Sequence, residues 1–175
     1  GYGLSEAPTA THCNPLEGEN RTGSIGLPLP DVEAAIIDVE DGATHLGDGE
    51  SGELIIRGPQ VMHGYHNMIE ETNLVLRDGF LYTGDIAKMD SDGYFYLVGR
   101  KKEMIKVGGF QVWPREIEEV IASHPGVMEC AVAGVPGKDW IEVVKAWVVP
   151  KKADVISVDE IKNWCEQHLA RYKVP

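Results

Sequence analysis

The chain has 175 residues, 43% of them hydrophobic, and carries 28 acidic against 16 basic side chains for a net charge of −12. That length builds one medium domain or two small ones, each with its own core. A pI near 4.8 excludes nucleic acid as a partner, because a phosphate backbone demands a dense basic patch, and it disfavours firm adhesion to anionic lipid, leaving open only a peripheral membrane contact through a few residues.

Cys13, Cys130 and Cys165 are odd in number and widely spaced. That pattern fits neither a disulfide framework nor a Cys-x-x-Cys metal site, and it points to a reducing cytoplasm. No run approaches the roughly 18 apolar residues that a membrane span needs, and the start has neither a basic region nor an apolar signal core. Beginning at Gly1-Tyr-Gly-Leu4 and stopping at Tyr172-Lys-Val-Pro175, the sequence reads as a piece of a longer polypeptide.

Short β-type runs come first: Glu33 to Val39, Glu53 to Arg57, Phe80 to Thr83, Ile86 to Met89 and Tyr94 to Val98. Asp90-Ser-Asp-Gly93 between the last two predicts a hairpin turn, with Gly93 supplying a positive φ. After Gly99 the pattern alternates between strands and helices. Met104 to Val107 is a short strand turned by Gly108-Gly109. Pro114 then opens a helix whose apolar face is Ile117, Val120 and Ile121, with Glu116, Glu118 and Glu119 near its positive end. His124-Pro125-Gly126 stops it.

Glu129 to Val135 and Val143 to Val149 read as strands joined by a polar loop containing Gly137, Lys138 and Asp139. Ser157-Val-Asp-Glu160 is a capping box ahead of a second amphipathic helix bearing Ile161, Trp164, Cys165 and Leu169 on one face. The expected fold class is therefore α+β, with a mainly β part over residues 1–99 and a small α+β part over residues 100–175. No internal repeat or low-complexity tract is present.

Chemistry concentrates in Tyr82-Thr-Gly-Asp85 and in Gly99-Arg-Lys-Lys-Glu-Met-Ile-Lys-Val-Gly-Gly-Phe110. An acid after Thr-Gly can accept two hydrogen bonds from a ribose diol, since a carboxylate is acceptor-only and its charged bonds are the stronger kind. Arg and Lys on a glycine-flanked segment can follow phosphate. Each residue also has a plain alternative: Asp85 as a turn-capping acid, Arg100 as half of a surface ion pair with Glu103, Lys106 as a solvated side chain before a hairpin turn. His63 and His66 lack a third ligand nearby and read as ordinary loop histidines, and Trp113, Trp140, Trp147 and Trp164 read as core or interface aromatics.

These stretches, with Tyr2-Gly-Leu-Ser-Glu6, Gly52-Glu-Leu-Ile-Ile-Arg-Gly58, Gly64-Tyr65 and Pro114-Arg-Glu-Ile-Glu118, resemble the C-terminal part of the adenylate-forming superfamily: acyl-CoA synthetases, peptide-synthetase adenylation domains and beetle luciferases. The motifs occur in that family's order and at its spacing over nearly the whole chain. The resemblance implies that residues 1–99 end the large adenylation domain and that residues 100–175 are part of a small mobile C-terminal domain. It implies nucleotide contacts by Tyr2, stacked on adenine, and by Gly3, Ser5, Asp85 and Arg100, with Asp85 on the ribose hydroxyls. It further implies that Glu6 helps hold Mg²⁺, that Lys102 is the hinge, that Arg100 and Lys106 act in catalysis, and that Gly108-Gly109 let the pantetheine arm of CoA pass close to backbone.

The implied chemistry joins a carboxylic acid, most like a fatty acid, to CoA through acyl-AMP at the expense of ATP. The phosphate loop, the acyl pocket and a distal Lys of that family fall outside these 175 residues, so this stretch alone is expected to be inactive. Two departures stand out. Ser5 occupies a position where Thr is usual, and in Gly137-Lys-Asp-Trp-Ile-Glu142 a Gly is common at Ile141 and an acid at Gly137. A carrier-protein-loading adenylation domain, a luciferase-like oxygenase and a non-catalytic nucleotide-binding or interaction module are the alternatives.

Overall fold

The computed structural model describes residues 1–137, 142–151 and 156–175, and it divides into two compact units, Gly1–Lys101 and Lys102–Pro175. The first unit is built of antiparallel strands. β1 (Tyr2–Leu4), β2 (Ala7–Cys13) and β3 (Leu27–Pro28) form one small sheet in that order.

The larger sheet holds β4 (Glu33–Ile37), β5 (Gly52–Arg57), β6 (Leu76–Arg77), β7 (Phe80–Met89) and β8 (Phe95–Arg100), with the short helix α1 (Ile69–Val75) preceding β6. Its order is β4-β5-β7, and β6 and β8 pair with the two ends of β7. β5 is buried from Gly52 through Ile56, which explains its apolar run without alternation. Leu54, Ile56, Leu81, Ala87 and Phe95 form the core with Tyr2, Ala7, Ile25 and Ile36.

Asp90, whose backbone exchanges bonds with Tyr94 and Gly93, closes the β7–β8 turn, where Gly93 has φ 84°. Arg21 clasps this turn from afar: its guanidinium lies 2.6 Å from Asp90 and from Asp92 and sits 4.3 Å above the Tyr94 ring. One expectation is corrected. The segment Phe80–Met89 is a single strand rather than two separated by a Thr-Gly turn, because the irregularity at Gly84 is a bulge that β5 accommodates.

In the second unit, β9 (Ile105–Val107) and β10 (Phe110–Val112) make a tight hairpin around Gly108 and Gly109, whose φ values are 56° and 89°. Helix α2 (Pro114–Ala122) starts with Pro at its first turn and buries Ile117 and Ile121 completely. β11 (Val127–Pro136) and β12 (Glu142–Pro150) form a two-stranded ribbon. Helix α3 (Val158–His168) is capped by Ser157, whose hydroxyl accepts the Glu160 N–H at 3.1 Å.

Ile161 and Cys165 of α3 join Ile105, Val112, Val127, Val132 and Val144 in a second core. The Trp164 indole N–H donates to the Val120 carbonyl at 2.9 Å, tying α3 to α2. Lys138, Asp139, Trp140 and Ile141 lie outside the described residues, so the departures noted in that loop have no structural account. Among the described residues, no helix is long and apolar enough to cross a membrane.

Candidate nucleotide site

The site in the first unit is organised by the bulge in β7. Glu53 faces Ile86 and Ile55 faces Tyr82, so the backbone of Thr83-Gly84-Asp85 has more length than the β5 ladder can pair. Gly84 takes φ 70°, a conformation costly for any side-chain-bearing residue. The Thr83 hydroxyl donates to the Leu54 carbonyl at 2.7 Å and accepts the Asp85 N–H at 3.1 Å. The Gly84 N–H is taken up by Oε1 of Glu53 at 3.1 Å.

Asp85 is 8% exposed, and both carboxylate oxygens are engaged. Oδ2 accepts the Tyr2 hydroxyl at 2.7 Å, and Oδ1 lies 3.1 Å from Nε of Arg100, the residue directly opposite on β8. Tyr2 is buried with its ring edge-on to His12. Burial, reinforced by the hydrogen bond to Asp85, pushes its phenol well above the usual range. Arg100 keeps more than half of its side chain in solvent. Such a cluster gives a vicinal diol a charged acceptor and gives a phosphate a free guanidinium edge.

The other residues of the first motif separate. A Cβ on Gly3 would lie 2.5 Å from the Thr9 carbonyl oxygen, so close approach of β1 to β2 already requires glycine there. Ser5 is exposed. Glu6 accepts the Tyr65 hydroxyl on Oε1 at 2.8 Å, and the Tyr65 N–H is held in turn by the Thr72 hydroxyl at 2.9 Å. The hydrogen bond to Glu6, with burial behind it, raises the Tyr65 pKa. Among the described residues, no three metal-ligating side chains cluster. A lone carboxylate with one oxygen bonded to a hydroxyl fits an ion that brings most of its ligands as phosphate oxygens and water, as Mg²⁺ does.

In the second unit, Lys102 is exposed on a 3₁₀ turn spanning Lys101–Glu103. The Lys106 side chain projects into solvent from β9, while its backbone N–H donates to Oε2 of Glu142 at 2.8 Å, fixing the hairpin to β12. Nothing lies within 4 Å of a Cβ built on Gly108 or Gly109, so the hairpin tip is open on both sides. An apolar cavity of about 310 Å³ between β12 and α3, lined by Val144, Val148, Ile156 and Ile161, contains none of the motif residues.

Tyr2, Asp85 and Arg100 are thus brought together, Glu6 finds Tyr65 as its partner, and Lys106 shares a hairpin with Gly108 and Gly109. Glu53 and Lys101 escaped the sequence reading, although an acid inside an otherwise apolar strand was a visible signal. The pairing of Tyr65 with Glu6 was also hidden, because it joins residues 59 positions apart.

Residues 1–66 match the family model of the AMP-binding enzymes, and residues 116–175 match that of the AMP-binding enzyme C-terminal domain. The chain belongs to the AMP-binding enzyme family.

Among curated relatives, it is 49% identical over 175 residues to the long-chain-fatty-acid–CoA ligase of Bacillus subtilis (strain 168), covering 100% of this chain and 31% of that protein. It is 46% identical over the same length to the corresponding ligase of Salmonella typhimurium, again covering 31% of it. The chain therefore spans about a third of the length of these relatives.

ATP-bound MatB from Rhodopseudomonas palustris superposes with a TM-score of 0.93 at 40% identity, covering 99% of this chain and 34% of that one. The O-succinylbenzoate coenzyme A synthetase MenE from Bacillus subtilis, in complex with AMP, gives a TM-score of 0.86 at 33% identity, covering 99% and 35%.

Proposed function

We propose that this chain is part of an AMP-forming acid–thiol ligase that activates a carboxylic acid, best matched by a long-chain fatty acid, and transfers it to CoA. The observation that carries the reading is the Asp85 cluster: a buried carboxylate on a strand bulge, facing Arg100, in a chain whose relatives include long-chain-fatty-acid–CoA ligases. In this reading residues 1–99 end a large domain, residues 100–175 belong to a small one, and the compartment is the cytoplasm, in keeping with three free cysteines.

A free carboxylate is a poor electrophile. Its oxygen attacks the α-phosphorus of ATP, the bond to pyrophosphate breaks, and the resulting mixed anhydride carries AMP as a leaving group. A thiol, losing its proton to solvent, then attacks the acyl carbon and expels AMP as the thioester forms. Asp85 holds the ribose hydroxyls through both steps, and Arg100 disperses charge at the phosphate. Tyr2, Gly3 and Ser5 line the nucleotide, with the Tyr2 ring against adenine.

Glu6 would hold Mg²⁺, which supplies charge neutralisation on the triphosphate oxygens. Lys106 and the open Gly108-Gly109 tip serve the thiol step, and Lys102 absorbs the backbone change between steps.

The test uses the full-length polypeptide with ATP, Mg²⁺ and a panel of carboxylic acids. AMP release that requires both a long-chain acid and CoA supports the reading. Acid loading onto a carrier protein with no response to CoA would replace it with the carrier-loading alternative.

A further inference from the structure

Glu53 is the one carboxylate in the buried stretch of β5, lying beside Leu54, Ile55 and Ile56 at 3% exposure. A charge so placed must be fully partnered, and it is. Oε1 accepts the Gly84 N–H at 3.1 Å and Oε2 accepts Nζ of Lys101 at 2.7 Å.

Packing alone does not account for this arrangement, since an apolar side chain of similar volume would fill the site without the cost of desolvating a carboxylate whose partner Lys101 keeps 41% of its side chain exposed. What the pair does locally is specific. The bulge in β7 turns the Gly84 N–H out of the ladder, and Glu53 supplies the acceptor that the ladder lacks. Gly84 immediately precedes Asp85, whose own N–H is held by Thr83, and Thr83 is held by Leu54 of the same strand. Consecutive residues of β5 thus fix the backbone of the bulge from below.

We infer that Glu53 is a positioning residue for nucleotide recognition. Without touching the ligand, it sets through Gly84 the direction in which Asp85 presents its carboxylate to a ribose diol. Lys101 neutralises the buried charge that this requires. The inference rests on the reading of Asp85 as the ribose ligand.

The test compares binding of ATP and of 2′,3′-dideoxy-ATP to the full-length enzyme by calorimetry, because only ATP carries the diol. In the unsubstituted enzyme ATP binds more tightly. Glu53→Ala is expected to weaken ATP by about tenfold while leaving the dideoxy analogue unchanged. Glu53→Gln keeps an amide oxygen for the Gly84 N–H and is expected to stay within about threefold of the unsubstituted enzyme.

The double variant Glu53→Leu/Lys101→Met leaves no unpaired charge in the sheet and so guards against misfolding of the single alanine variant. It is expected to lose the same preference for the diol. Equal weakening of both nucleotides in the alanine or double variant would reduce Glu53 to a structural role and overturn the inference, as would full retention of the preference. If the unsubstituted enzyme itself binds the two nucleotides equally, the ribose reading of Asp85 fails instead, and this inference falls with it.

Discussion

The hydroxyl of Tyr2 donates to Oδ2 of Asp85 at 2.7 Å, joining two residues 83 positions apart in the chain. The first strand of the small sheet and the bulge of the large one therefore meet at one carboxylate, which Arg100 approaches on its other oxygen at 3.1 Å.

Asp85→Ala in the full-length enzyme should weaken ATP by about tenfold or more, since a charged acceptor of hydrogen bonds is lost. Adenylate formation should slow in step. Tyr2→Phe removes only one donor and should cost about 1 kcal/mol of binding or less. Pyrophosphate exchange at the normal rate in Asp85→Ala would rule out its ribose role.

Lys106 projects from an exposed hairpin whose backbone is secured by Glu142 rather than by the lysine ammonium group. Lys106→Ala should therefore leave the hairpin folded and spare acid-dependent pyrophosphate exchange, while thioester synthesis drops by about tenfold or more. Equal loss of both half-reactions would contradict the division of labour.

Lys102 sits in the middle of the 3₁₀ turn at Lys101–Glu103 with its side chain exposed. Lys102→Pro fixes φ at one residue and restricts the residue before it. If this backbone must change between half-reactions, overall turnover should collapse in the proline variant but survive in Lys102→Ala. Normal turnover in the proline variant would remove the hinge assignment.

His12 has a fully buried ring, edge-on to both Tyr2 and Phe95, and among the described residues its Nε2 has no hydrogen-bond partner. Burial lowers its pKa from 6.5 to about 4. The unfolded chain takes up a proton on this ring as pH falls through 6.5, whereas the folded chain does so only near 4. The stability it contributes is thus complete above the first value and is lost as pH drops through the second, by about 2 kcal/mol already at about pH 5. Urea midpoints at about pH 7 and about pH 5 should differ less in His12→Phe than in the unsubstituted protein; an identical pH response would show that His12 is not the group responsible.

How much was legible depended on the range of the interaction. Helix α2, opened by Pro114, and helix α3, capped by Ser157, follow from local rules and were readable, as was the Asp90–Gly93 turn. The apolar run of β5 marked a strand, and the structure buries it. β1, β2 and β3 were not anticipated: β1 and β3 have only three and two residues, too few to carry a period, and β2, seven residues long, mixes small and polar side chains with no apolar alternation. The Thr83-Gly84-Asp85 segment has turn chemistry in its composition, and only the acceptors offered by Glu53 and Leu54 make it a bulge inside one strand. The motif residues Asp85, Arg100 and Lys106 could be named through the family resemblance of the stretches that carry them. Glu53 was visible as an acid in an apolar strand, but nothing local pairs it with Gly84 or pairs Glu142 with Lys106, because those partners lie 31 and 36 positions apart.

Asp85 has partners on both oxygens before any sugar arrives. On the proposed reading, a diol docking there would trade places with donors already present instead of satisfying a bare charge. If Asp85 holds the ribose as proposed, the Tyr2 hydroxyl and Arg100 can return to it as a nucleotide leaves, so the carboxylate never stands alone in a dry pocket.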